Sequence, residues 1–113
     1  MTPDLTLRDL NKWAAMETER LRAGLAPHAA SQPAFVLAQA AKLTEEVGEL
    51  HAEILGHAGY QRRSKGADFT AESMGAELAD VMICVATLAS SHGIDLGAAV
   101  AVKIKEIETR HRD

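Results

Sequence analysis

The chain has 113 residues, with 12 Lys and Arg against 16 Asp and Glu and a formal net charge of −4. That length implies one domain over residues 1–113, large enough to bury a core without cross-links. The single cysteine, Cys84, excludes an internal disulfide and a Cys-rich zinc site, and the absence of a basic stripe argues against nucleic acid as a partner.

The N-terminal stretch MTPDLTLRDL is polar and does not read as a signal peptide. No apolar run approaches the roughly 18 residues that a membrane span needs. The expectation is a cytoplasmic protein with no membrane partner. Aromatic residues make up only 4% of the chain and β-branched runs occur only inside helical patterns, so the fold class is all-α.

The first helix is expected to start with Thr6 as its N-cap and to run to about Ala23, with Gly24 as its stop. The segment LAPHAASQP reads as a loop. A long second helix starts at Ser31 or Gln32, carries Pro33 in its first turn, and ends near His57 before Gly59. Residues 59–69, GYQRRSKGADF, form a basic loop. Thr70 caps a third helix over about 71–92, with Gly93 just beyond its end. Asp95 caps a fourth helix that reaches about His111. Four helices with short connections read as a four-helix bundle.

The second helix poses a problem in its middle, KLTEEVGELHAEI. With Glu45 set at 0°, Lys42, Glu46, Glu49 and Glu53 fall at about 60°, 100°, 40° and 80°. Phe35 and Gln39 lie at about 80° and 120°, while Val36, Ala40, Leu43, Val47, Leu50 and Ile54 form an apolar stripe at about 140–220°. The third helix is apolar around most of its circumference, yet Ser73, Glu77, Asp80, Cys84, Thr87 and Ser91 share one sector of about 80°. A carboxylate strip on a helix that reads as central is costly unless something neutralises it. Both strips are either solvated surface or two halves of one cage. If they face each other, a hard divalent cation suits a cluster of oxygens that has no His or Cys at ligand spacing.

The segments KLTEEVGEL and ELADVMICVATLASSHGIDLGAAVAVK together resemble the MazG-like all-α nucleoside triphosphate pyrophosphohydrolases. Their pattern is E-E-x-x-E followed by E-x-x-D. It is met here by Glu45, Glu46 and Glu49, then Glu77 and Asp80, with 27 residues between the half-motifs. The resemblance covers about residues 36–112 and includes the downstream GIDL and Lys103. It implies Mg²⁺-dependent hydrolysis between the α and β phosphates of a (d)NTP, giving the monophosphate and pyrophosphate, with Mn²⁺ as a substitute cation. By the same resemblance Glu46, Glu49, Glu77 and Asp80 hold the metal, and Glu45 orients or deprotonates the attacking water. It also implies a tight homodimer or homotetramer and a role in nucleotide-pool housecleaning.

The substrate-binding candidates are Lys42, Lys103, Phe35 and Trp13. Lys42 either reaches a phosphate or pairs with Glu46 one turn on. Phe35 is either a stacking surface for the base or ordinary core, and Trp13 is either the anchor of the first helix or a stacking wall. Arg62, Arg63 and Lys65 either close over phosphates or sit in a solvated loop. Two positions depart from the family pattern, Cys84 where many members carry Tyr and Ile107 where many carry Asn. They bear on sugar and base recognition and leave the carboxylates untouched. Alternative readings are a phosphoribosyl-ATP pyrophosphohydrolase, which shares the acidic motifs, and a non-catalytic helical module that binds a basic partner.

Overall fold

The computed structural model describes residues 4–60 and 69–112, and among these it holds five helices and no strand. They are α1 (Leu7–Ala23), α2 (Pro27–Ala30), α3 (Gln32–His57), α4 (Ala71–Ser91) and α5 (Leu96–Arg112). The four long helices begin and end close to where the sequence places them. The difference is α2, a single turn inside the expected loop LAPHAASQP. Pro27 stands in its first turn, where a missing N–H costs nothing, and the alanines that follow favour the helix.

The helix starts follow from local chemistry. Thr6 and Asp9 close a capping box on α1, with each side chain accepting the other's backbone N–H at 3.1 Å. Thr70 and Ser73 do the same on α4, at 2.9 and 3.0 Å. Asp95 Oδ1 accepts from Ala98 N at 3.0 Å and so caps α5. Two connections turn through glycines in the left-handed region, Gly59 (φ 84°) after α3 and Gly93 (φ 66°) after α4, where a side chain would be strained.

Long helix α3 packs along α4, α1 crosses α4 on another side, and α5 rests mainly on α1. The α1–α4 crossing is built on Leu10, Ala14 and Ala86, flanked by Leu7 and Leu96. Alanines at its centre let the two backbones approach closely. Arg22 ties α1 to the next elements. Its guanidinium donates twice to the Ala30 carbonyl, at 3.2 and 3.0 Å, and stacks 5.2 Å from the centre of the Phe35 ring.

Helix α4 is long and apolar enough to cross a membrane by length and composition alone, which corrects the expectation that no segment is. Its packing against both α1 and α3 gives the physical reason for that composition: a helix covered on several sides is apolar nearly all round.

The single chain is open. Its radius of gyration is 17.0 Å, against about 13 Å for a compact domain of this size. Helix α5 buries no residue, and Val102 and Ile104 on it face solvent together with Leu37, Val47 and Met82 elsewhere.

Candidate functional site

The packing of α3 on α4 brings the two acidic strips face to face. Glu46 of α3 and Glu77 and Asp80 of α4 each offer an oxygen, and these oxygens lie within 4.8 Å of one another. Glu77 and Asp80 are one turn apart on their helix, so both point the same way. Glu46 and Glu77 are half-buried and Asp80 is exposed, so the cluster sits in an open cleft rather than a sealed core.

The charges in this cleft are under-compensated. Lys42 Nζ approaches Glu46 at 3.2 Å, and this contact, with the charge of Glu45 behind it, raises the lysine's affinity for its proton. Glu77 has no such partner. Its Oε2 is buried and makes no hydrogen bond among the described residues. Burial, then the charges of Asp80, Glu49, Glu46 and Glu53, push its carboxyl above the usual carboxylate range. A buried oxygen without a donor, ringed by like charges, fits a cation.

The sign of the pH dependence follows. Glu77 binds its proton more tightly in the folded protein than in the unfolded chain. Its favourable contribution is therefore present at low pH and is lost as the pH rises through the raised value. A divalent cation bound there would take the proton's place. Thermal melts with and without Mg²⁺ or Mn²⁺ should show a larger metal-induced gain in Tm at about pH 8 than at about pH 5, where protons compete. Equal gains at the two pH values would remove Glu77 from the cation site.

The other expected residues are placed as follows. Glu49 is exposed and close enough to act on Glu77, though it stands outside the three-oxygen cluster. Glu45 is exposed beside Glu46. Phe35 is core: it is 1% exposed and has Arg22 over its ring, so it leaves no face for a base. Trp13 is 42% exposed and lines a shallow apolar groove with Leu5, Leu10, Ala79, Met82 and Ile83. With Glu77 at 0°, those α4 residues lie at about 140–240°, so α4 stands between Trp13 and the carboxylates. Lys103 is exposed on α5 and bonds Glu106 at 3.0 Å. Arg62, Arg63 and Lys65 lie outside the described residues.

Cys84, one turn beyond Asp80, is buried beside the cluster. Burial pushes its thiol pKa up, and the charges of Glu46 and Asp80 push it further. Two contacts between α3 and α4 escaped the sequence reading, one of them shared with His57 of α3. Glu53 Oε2 is held by Ser73 Oγ at 2.7 Å and His57 Nε2 at 3.0 Å, and Thr87 Oγ1 donates to Gln39 Oε1 at 3.3 Å. The signal for both was present as shared polar sectors on the two helices, but pairing across them needed the helix register.

Searches of curated proteins and of solved structures return no match. A family model does match: MazG nucleotide pyrophosphohydrolase domain, over residues 36–113. That span takes in both half-motifs, α3 from Val36 onward and all of α4. With acids of both half-motifs meeting across one cleft and more than half of the chain matched, this protein belongs to the MazG nucleotide pyrophosphohydrolase family.

Proposed function

We propose that the protein is a Mg²⁺-dependent (d)NTP pyrophosphohydrolase that cleaves between the α and β phosphates and releases pyrophosphate, acting on the cytoplasmic nucleotide pool. The observation that carries this is the meeting of Glu46, Glu77 and Asp80 within 4.8 Å, with a buried, unpartnered oxygen on Glu77.

Glu46, Glu49, Glu77 and Asp80 would hold the cation. Oxygen donors on a cluster of this charge suit a hard ion, Mg²⁺ or its substitute Mn²⁺. When bound, such an ion offsets charge on the phosphate oxygens and lowers the pKa of water it polarises. The protein's share is positioning. Antiparallel packing of α3 and α4 fixes the carboxylates before substrate arrives. Glu45, exposed at the edge of the same strip, can take the proton of the attacking water on its carboxylate. Lys42 holds Glu46 in place and stands where a phosphate oxygen can compete for its ammonium.

Base and sugar recognition rests on other surfaces. Phe35 is closed off, and Trp13 and Lys103 would serve only a site completed by a second copy of the chain. A homodimer or homotetramer accords with the exposed apolar residues of α5 and the open single chain.

The deciding experiment is a panel of ribo- and deoxynucleoside triphosphates, with phosphoribosyl-ATP alongside, incubated with Mg²⁺ and assayed for pyrophosphate. The expected result is pyrophosphate and monophosphate in equal amounts from at least one triphosphate, abolished by a chelator. Release of orthophosphate instead would place the cleavage elsewhere, and turnover of phosphoribosyl-ATP alone would move the protein to the histidine-synthesis reaction.

A further inference from the structure

Beyond the carboxylate cluster, the α3–α4 seam carries a polar pattern of its own. Gln39, Glu46 and Glu53 follow one another at seven-residue intervals on α3, and Thr87, Asp80 and Ser73 follow at the same interval in the reverse direction on α4. Seven residues make nearly two full turns, about 10 Å of rise with about 20° of drift, so each set stays on one side of its helix. The structure joins the outer members in that order. Thr87 Oγ1 donates to Gln39 Oε1 at 3.3 Å, sharing its proton with the Cys84 carbonyl at 3.0 Å. Ser73 Oγ donates to Glu53 Oε2 at 2.7 Å. Between these two rungs stand Glu46 and Asp80, both members of the acidic cluster.

The three rungs differ in chemistry. The outer two are joined across the seam by hydrogen bonds, whereas the middle one has carboxylates on both sides and cannot bond across it, Glu46 pairing instead with Lys42 on its own helix. One member of each outer rung is buried, Thr87 at 3% and Glu53 at 9% exposure, while Gln39 and Ser73 are half-buried. A carboxylate so placed is costly unless it is bonded. The same Glu53 oxygen accepts from Ser73 and meets His57 Nε2 at 3.0 Å. Ser73 in turn accepts from Thr70 N in the capping box, so the first turn of α4 is fixed to the rung.

Among the described residues the seam has one other side-chain tie, at its far end, where Gln32 Nε2 of α3 donates to the Ser91 carbonyl of α4; the stretch between the rungs has none. Valine, leucine and alanine pack in several neighbouring registers at similar cost, and apolar seams specify position weakly. A slip of one residue would rotate a side chain by about 100° and break both rungs.

We propose that the Gln39–Thr87 and Glu53–Ser73 hydrogen bonds are positioning rungs that lock α3 in register on α4, so that Glu46 meets Glu77 and Asp80 within reach of one cation. This rests on the metal-centred reading given above. Gln39, Thr87, Glu53 and Ser73 lie outside the three-oxygen cluster, and Glu53 Oε2 is already committed to Ser73 and His57.

The test is a calorimetric titration of the full chain with Mn²⁺, accompanied by thermal melts of the metal-free protein. Thr87→Val and Glu53→Met keep approximate shape and remove a hydrogen-bonding group. Each is expected to weaken Mn²⁺ binding on the order of tenfold. Their metal-free Tm should be unchanged or higher, because an apolar replacement in a seam removes a desolvation cost. Thr87→Ser and Glu53→Gln retain the hydroxyl and an acceptor oxygen, and both are expected to restore binding. Unchanged Mn²⁺ affinity in the valine and methionine variants would overturn the rungs while leaving the cation site standing. So would a loss of affinity that tracks a loss of Tm and is not rescued by the conservative pair. Failure of the unaltered chain to bind Mn²⁺ would overturn the metal reading and this inference together.

Discussion

Replacing Glu77 with Gln is expected to cut Mg²⁺-dependent pyrophosphate release by more than a hundredfold while leaving the metal-free protein as stable as before or more so. Groups one shell removed from a metal commonly cost 10–100-fold when lost, so a group that would bind the ion directly sets a larger effect. The stability half of the prediction comes from the same side chain. Glu77 is crowded by Asp80, Glu49 and Glu46, and its buried Oε2 has no donor among the described residues. Gln keeps the shape, removes one negative charge from the crowd, and brings an N–H₂ that can face a carboxylate. Opposite movements of activity and Tm are what a site selected for function, at the expense of stability, should give. A pyrophosphate assay and a metal-free thermal melt on one preparation check both halves. Retained turnover in Glu77→Gln would remove this residue from the reaction.

Phe35→Ala should be the most destabilising single change among the residues considered, at about 3–5 kcal/mol. Phe35 is the largest side chain in the chain's described part to be fully buried. Its loss opens a cavity and also strips the Arg22 guanidinium of the ring it covers, at the point where α1, α2 and α3 are clipped together. Against a typical total of about 5–15 kcal/mol, the variant would be marginal at best. Urea denaturation measures the loss directly. Phe35→Leu should recover most of it, because much of the apolar volume returns. This pair also separates the two roles that the sequence leaves open. A base-stacking Phe35 would show a raised KM in Phe35→Leu with the urea midpoint nearly unmoved.

How much of this was legible in the sequence differs from residue to residue. Helix ends were readable because they depend on short-range chemistry: Thr6 and Thr70 sit where a capping side chain is needed, and Gly93 where the chain must turn left-handed. The convergence of Glu46, Glu77 and Asp80 could be anticipated because each helix confines its acids to one sector, and two such sectors have a common reason to meet. The fate of Phe35 could not. Its angular position lies within the acidic sector, but it enters α3 near its start, where the Arg22 guanidinium lies over its ring, and periodicity carries no information about what lies over a residue. Trp13 shows the same limit, since which side of α4 receives α1 is a tertiary fact. The turn at Pro27–Ala30 was missed because one helical turn has too few residues to show a period.

The environment of Cys84 has a consequence for which ions can occupy the cleft. Soft metals are captured by thiolate, and forming one here means placing another negative charge, out of water, beside Glu46 and Asp80. With no cation bound, the sulfur therefore stays a neutral thiol at neutral pH, the pull of Lys42 offsetting only part of the push from burial and the carboxylates. In this chain the carboxylates keep the neighbouring sulfur protonated, so a thiophilic ion has first to displace that proton, whereas a hard ion meets oxygens that already carry charge.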